Sequence, residues 1–228
     1  MATVPIRGQQ CVVCGRRSRS LRASAIPFQP EHRSIMAVDI ESFSRSDRSN
    51  PIRLGLRRHL RRLLVDALAQ VGAGPEHYDL EDRGDGFLVS ISPLVPKNRL
   101  LDPLVPRLAA TLDRYNRAAD EAARMRLRVV LHAGELLRDP RPNVGYATIF
   151  AARLLDAQEL RLALTEAKVP LALIVSDWVY QEVVQHRYGG IDPASYRPVR
   201  ICVKGVRARA WVYVPGDPGA VDRAGIVA

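Results

Sequence analysis

Residues 33–40, RSIMAVDI, form a short and nearly continuous apolar run that ends beside a carboxylate. A run of that length suits a strand buried on both faces. The chain then alternates between periods. After the polar stretch ESFSRSDRSN, Pro51 opens a helix with Ile52, Leu56, Leu60, Leu63, Leu64, Ala67 and Leu68 on one face and arginines on the other. The glycines and proline of VGAGPEH end it. YDLEDRGDGFLVSIS reads as a hairpin turning at RGDG. A second amphipathic helix is expected over 100–123, interrupted early by Pro103 and Pro106.

RLRVVLHAGEL is another buried strand, GYATIFAARLLDAQELRLALTEA one long helix, PLALIVS a strand and DWVYQEVVQH a helix. RPVRICVKGVRARAWVYVP closes the chain as a hairpin. The order β-α-ββ-α-β-α-β-α-ββ implies an α/β sandwich around a mixed sheet. Residues 1–33, broken up by Gly, Ser, Pro and Arg, read as an N-terminal appendage. Residues 34–216 read as the domain and 217–228 as a flexible tail.

At 228 residues, 47% hydrophobic and 25% charged, the chain can bury a sizeable core. It has no membrane-span-length apolar run and no signal-peptide pattern, so a cytoplasmic protein without a membrane partner is expected. The net charge of +10 is concentrated. Six arginines face one glutamate in residues 1–34, and seven face one aspartate in 45–62. Without a helix-turn-helix or aromatic-interleaved strands, these blocks read as a solvated surface rather than a nucleic-acid interface.

Three cysteines argue against a disulfide framework. Cys11 and Cys14 form half of a zinc site, whose other ligands would have to come from Cys202, His32 or a second chain. Two reduced thiols is the simpler reading. His132 reads as a core histidine, and Trp178 and Trp211 as core or hairpin packing.

Two distant aspartates carry the chemistry. Asp39 ends the first strand and Asp85 sits in the hairpin turn. If the two elements are neighbours in one sheet, both carboxylates reach its rim and can hold Mg²⁺ or Mn²⁺. Gly84 and Gly86 would then allow a sharp turn and leave space for a ligand. The backbone N–H groups of DIESFS, leading to a helix, offer a phosphate cradle with Ser42 and Ser44, although helix capping explains the serines as well.

In order and spacing, VDIESFS, RGDGFLVSI, RLRVVLHAGEL, GYATIFAARLLDA and VKGVRARAWVY resemble the conserved stretches of the class III nucleotidyl cyclases, over about residues 33–215. The resemblance implies a ferredoxin-like core with a mixed, mostly antiparallel sheet and flanking helices. It also implies a head-to-tail homodimer with shared active sites, a nucleoside triphosphate substrate, and two Mg²⁺ or Mn²⁺ ions per site. Carried over, Asp39 and Asp85 with the Ile40 carbonyl are the metal ligands. Arg153 stabilises the transition state from the partner chain, and Lys204 binds the triphosphate. Phe43 and Ser44 fall in the first motif, beside the substrate.

The departures are informative. Ile149 stands where the family has a transition-state asparagine, and isoleucine donates no hydrogen bond. Glu81 and Pro142 replace the lysine and aspartate that read a purine, and Arg83 and Tyr146 could approach the base. In this the chain resembles the pyrimidine cyclases of the bacterial Pycsar antiphage systems. The expected activity is conversion of UTP or CTP to a 3′,5′-cyclic monophosphate and pyrophosphate. The alternative is a degenerate cyclase domain that binds nucleotide or dimerises without turnover.

Overall fold

β1 (Glu31–Ile40) lies inside a seven-stranded sheet, antiparallel to both of its neighbours, in a computed structural model that describes residues 29–138 and 143–216. The other strands are β2 (Tyr78–Asp82), β3 (Gly86–Ile91), β4 (Leu127–Leu136), β5 (Leu171–Ser176), β6 (Arg197–Val203) and β7 (Val206–Tyr213). Their order is β2-β3-β1-β4-β5-β7-β6, and only the β4–β5 pair is parallel. The mixed, mostly antiparallel sheet expected from the sequence is therefore present.

Helices α1 (Asn50–Gln70), α2 (Lys97–Leu101), α3 (Leu104–Ala118) and α6 (Asp177–Val179) cover one face; α4 (Tyr146–Leu155) and α5 (Gln158–Glu166) cover the other. Side chains alternate along each strand. On β1, Met36, Val38 and Ile40 enter the core with Leu56, Leu60, Leu64 and Leu68 of α1. Ile35 and Ala37 enter the opposite core with Ala147, Ala151 and Leu154 of α4. Burial on both faces explains the continuous apolar run. Truncating a fully buried leucine such as Leu60 to alanine costs about 2–5 kcal/mol.

The helix expected over 100–123 is two helices separated at Asp102–Pro103. Proline disfavours helical backbone at the residue before it, whereas Pro106 is tolerated in the first turn of α3. The long helix expected from Gly145 is also two. Ala157 is extended and fully buried, so α5 turns to lay Leu160 and Leu164 on the core that α4 contacts. The segment after α6 continues as a π-helical turn, Tyr180–Val184.

The expected phosphate cradle does not lead into a helix. Residues 41–44 form turns and α1 begins only at Asn50, so those N–H groups are not its N-terminus. Ser42 has a positive φ of 52°, Phe43 packs against the α1 core, and Ser44 is exposed. Ser49, not Ser42 or Ser44, is the residue before the helix. Trp211 stacks on Tyr180 in the core, but Trp178 is 41% exposed beside His32, contrary to the packing expected of it.

Candidate active site

The alternation that buries Ile35 and Ala37 also places Asp39 on the α4 face of β1. Directly opposite it on β4 stands Arg128. The guanidinium forks onto the carboxylate, Nε to Oδ1 at 2.8 Å and Nη2 to Oδ2 at 2.6 Å. Asp39 is only 7% exposed. Burial pushes its carboxyl up to about 6, the Arg128 hydrogen bonds and charge oppose that rise, and the Asp85 charge adds to it. Sequence reasoning missed Arg128. The available signal was a charged residue alternating within a buried strand, which requires a counter-ion.

Asp85 comes to the same place through the β2–β3 turn. Its carbonyl accepts from Ile40 N–H at 3.0 Å, and Gly86 pairs with Asp39 across β1 and β3. The two glycines flanking Asp85 have separate causes. Gly84 has φ +90°, which disfavours a side chain, and its N–H donates to Asp82 Oδ1 at 2.8 Å. A Cβ on Gly86 would overlap the Val38 carbonyl oxygen and come within 2.7 Å of Asp39 Cα. Gly86 thus permits close strand pairing rather than leaving room for a ligand, correcting the sequence expectation.

A cavity of about 420 Å³ opens here between the sheet, α4 and the β6–β7 turn. Asp39, Asp85, Arg83, Arg153, Lys204 and Asp156 supply its charges, and Ile149 supplies part of its apolar wall. Its size suits a small molecule. Arg153 makes no ion pair among the described residues and is half-buried. Lys204, in the β6–β7 turn, donates to Asp156 Oδ2 at 2.7 Å. Asp156 and Thr148, which also line the cavity, were not singled out from the sequence.

The other sequence candidates lie elsewhere. Phe43 and Ser44 do not line this cavity. Glu81, on the edge strand β2, accepts from Arg83 Nη2 at 2.6 Å and from the Asn143 backbone N–H at 3.1 Å. It therefore anchors the residue after Pro142, which itself lies outside the described residues. Asn143 is buried and donates to Ser90 Oγ at 2.6 Å and Asp79 Oδ2 at 3.2 Å. Tyr146 is 67% exposed on the first turn of α4, with Val144 and Ile149 exposed nearby. Cys11 and Cys14 lie outside the described residues.

Asp39 and Asp85 form a hard oxygen donor pair of the kind that Mg²⁺ and Mn²⁺ take, close enough for one charge to perturb the other. Among the described residues no group of three or more His, Cys, Asp or Glu side chains is arranged to hold a metal. The remaining positions of an ion would fall to the Ile40 carbonyl, phosphate oxygens and water. The two carboxylates fit such an ion only where Arg128 yields one of the Asp39 oxygens that it now binds. A second cavity of about 470 Å³ lies near Arg48 and Asp113. Arg48 donates to the carbonyls of Ser42, Ala122 and Arg124, and Asp113 pairs with Arg117. No helix among the described residues is long and apolar enough to cross a membrane.

No protein-family model and no curated protein matches the sequence. Solved structures do. An adenylate/guanylate cyclase/hydrolase from Silicibacter pomeroyi is 21% identical with a TM-score of 0.57, covering 83% of this chain and 99% of its own. A bacterial light-regulated adenylyl cyclase is 14% identical with a TM-score of 0.56 over 82% of this chain, which spans 53% of that longer protein. The catalytic core of a rhodopsin-guanylyl cyclase with converted specificity, in complex with ATPαS, is 15% identical with a TM-score of 0.53, covering 82% of this chain and 97% of its own. With its mixed seven-stranded sheet and helices on both faces, this chain has the fold of the class III adenylate/guanylate cyclase catalytic domains.

Proposed function

We propose that the protein is a divalent-metal-dependent nucleotidyl cyclase that converts a nucleoside triphosphate to a 3′,5′-cyclic monophosphate and pyrophosphate. The observation that carries this reading is the single cavity that gathers Asp39, Asp85, Arg83, Arg153 and Lys204 on a cyclase fold. A bound Mg²⁺ or Mn²⁺ would supply Lewis-acid stabilisation of the attacking and leaving oxygens. Asp39, Asp85 and the Ile40 carbonyl would hold the cation. In the head-to-tail dimer Arg153 would reach across to meet charge developing on the α-phosphate held by the aspartates of the partner chain, and Lys204 would meet the outgoing pyrophosphate. The substrate's 3′-hydroxyl gives up its proton to water as its oxygen bonds to the α-phosphorus, and the bond from that phosphorus to the pyrophosphate oxygen breaks. Two chains would assemble head to tail, each completing the other's site, with exposed Val144, Tyr146 and Ile149 beside the cavity as contact surface.

The base preferred is a pyrimidine. Glu81 stands where a purine cyclase carries its base-reading lysine and supplies acceptors instead of a donor, although a base would have to displace Arg83 or the Asn143 N–H to reach them. An antiphage signalling role in the cytoplasm rests on the Pycsar resemblance. The competing reading, a domain that binds nucleotide without turnover, is favoured by Ile149 lining the cavity in place of a hydrogen-bond donor. Incubation with equimolar ATP, GTP, CTP and UTP and Mn²⁺, followed by mass spectrometry, decides between them. Mainly cyclic UMP or cyclic CMP is expected. Cyclic purine products would reject the base preference, and the absence of any cyclic product would reject the enzyme.

A further inference from the structure

We propose that Arg128 is a built-in occupant of the cation site, a positioning residue that holds the Asp39 carboxylate when no divalent ion is bound and competes with the ion for it. This rests on the reading of Asp39 and Asp85 as cation ligands. The supporting geometry is independent of any bound ligand. The Nε–Nη2 edge of Arg128 takes one hydrogen bond to each carboxylate oxygen, at 2.8 and 2.6 Å. That fork uses the lone pairs on the face where a carboxylate chelates. Arg128 and Asp39 are also cross-strand partners, with side chains only 14% and 10% exposed, so the pair is fixed by the sheet register rather than by chance on a mobile surface.

Two consequences follow. A nearly buried carboxylate with no counter-charge would be strongly destabilising, and a second carboxylate, Asp85, acts on the same group. Arg128 therefore lets β1 keep Asp39 in place without a metal, so that folding does not depend on the ion. The cost falls on cation affinity. A dication at Asp39 must break the fork or accept the guanidinium charge within a few ångströms, a repulsion that low local dielectric strengthens. Cation occupancy should then be weak in the free protein. It should rise when the triphosphate adds oxygen ligands and negative charge to the cavity.

The test is MnCl₂ binding to the full chain at pH 8, by calorimetry and by the metal-induced shift in melting temperature. Wild type, Arg128→Gln, Arg128→Lys and Asp39→Asn are compared. Glutamine keeps one donor for Asp39 and removes both the fork and the charge. Arg128→Gln is expected to melt lower without metal yet to bind Mn²⁺ at least fivefold more tightly. Arg128→Lys, which keeps the charge but not the fork, should fall between wild type and Arg128→Gln, and it carries the test if the glutamine variant fails to fold. Equal or weaker Mn²⁺ binding in the folded Arg128 variants, with binding still abolished in Asp39→Asn, overturns the role of Arg128 alone. Mn²⁺ binding that is unaffected in Asp39→Asn overturns the cation-site reading as well.

Discussion

Lys204 Nζ and Asp156 Oδ2 are 2.7 Å apart, joining the turn between β6 and β7 to the C-terminal end of the helix that carries Arg153. The pair sits in the cavity wall and is largely exposed, so it adds less than about 1 kcal/mol to stability. Its effect is on the ligand. A carboxylate at this position repels a triphosphate and occupies the lysine that would bind it. Asp156→Asn is expected to lower KM for the nucleoside triphosphate about 3- to 10-fold, roughly 1 kcal/mol, with little change in melting temperature. A raised KM in steady-state kinetics would show instead that Asp156 is needed to orient Lys204.

A site shared between two chains makes a specific claim about mixtures. Asp39→Ala and Arg153→Ala should each be inactive and folded by circular dichroism. Mixing the two should restore up to about a quarter of wild-type activity, because half of the chains form heterodimers and one of their two sites is intact. A fully active monomer by light scattering would refute the shared site.

Close pairing of β1 and β3 makes Gly86 the more sensitive of the two turn glycines. Gly86→Ala forces a methyl group against the Val38 carbonyl and the Asp39 Cα, and should destabilise the fold by about 2–4 kcal/mol. Gly84→Ala meets no neighbour but retains an unfavourable positive φ, and should cost about 1 kcal/mol. Urea titration of both variants checks the order; a larger loss at Gly84 would contradict it.

His132 predicts a pH dependence. It shares a hydrogen bond with Ser176 Oγ at 2.9 Å, and burial pushes its pKa down to about 4, with the His32 charge adding to the shift. The unfolded chain therefore binds this proton more readily than the folded one. The folded state keeps its full advantage above about pH 6.5 and loses it as pH falls toward 4, a loss of about 3 kcal/mol from this group. His132→Gln should flatten that part of the stability curve, measured by urea unfolding between pH 4 and 7. An unchanged slope would show that His132 does not cause it.

Local periodicity made most of the elements legible in the sequence. The apolar run at 33–40, the stripe from Leu56 to Leu68 and the RGDG turn each encode their structure within a few residues, because strand and helix spacings repeat at 2.0 and 3.6. The breaks within the two longer helical stretches were less legible. Pro103 was a visible marker, whereas the extended Ala157 follows from how α5 must pack on a shared core.

The order of elements singled out Asp39 and Asp85 as candidates for one site, and the resemblance to the class III cyclases added Arg153 and Lys204. Only the tertiary structure decided which side chains meet. Asp39 and Arg128 are 89 residues apart in the chain and become partners through antiparallel register, a property of two strands jointly that neither strand's local pattern contains. The same holds for Glu81, whose carboxylate is bound by Arg83 two residues away and by the Asn143 backbone 62 residues away. A sequence specifies what each strand buries, but the partner of a buried charge is set only when the sheet closes around it, since an unpaired charge there is too costly to leave.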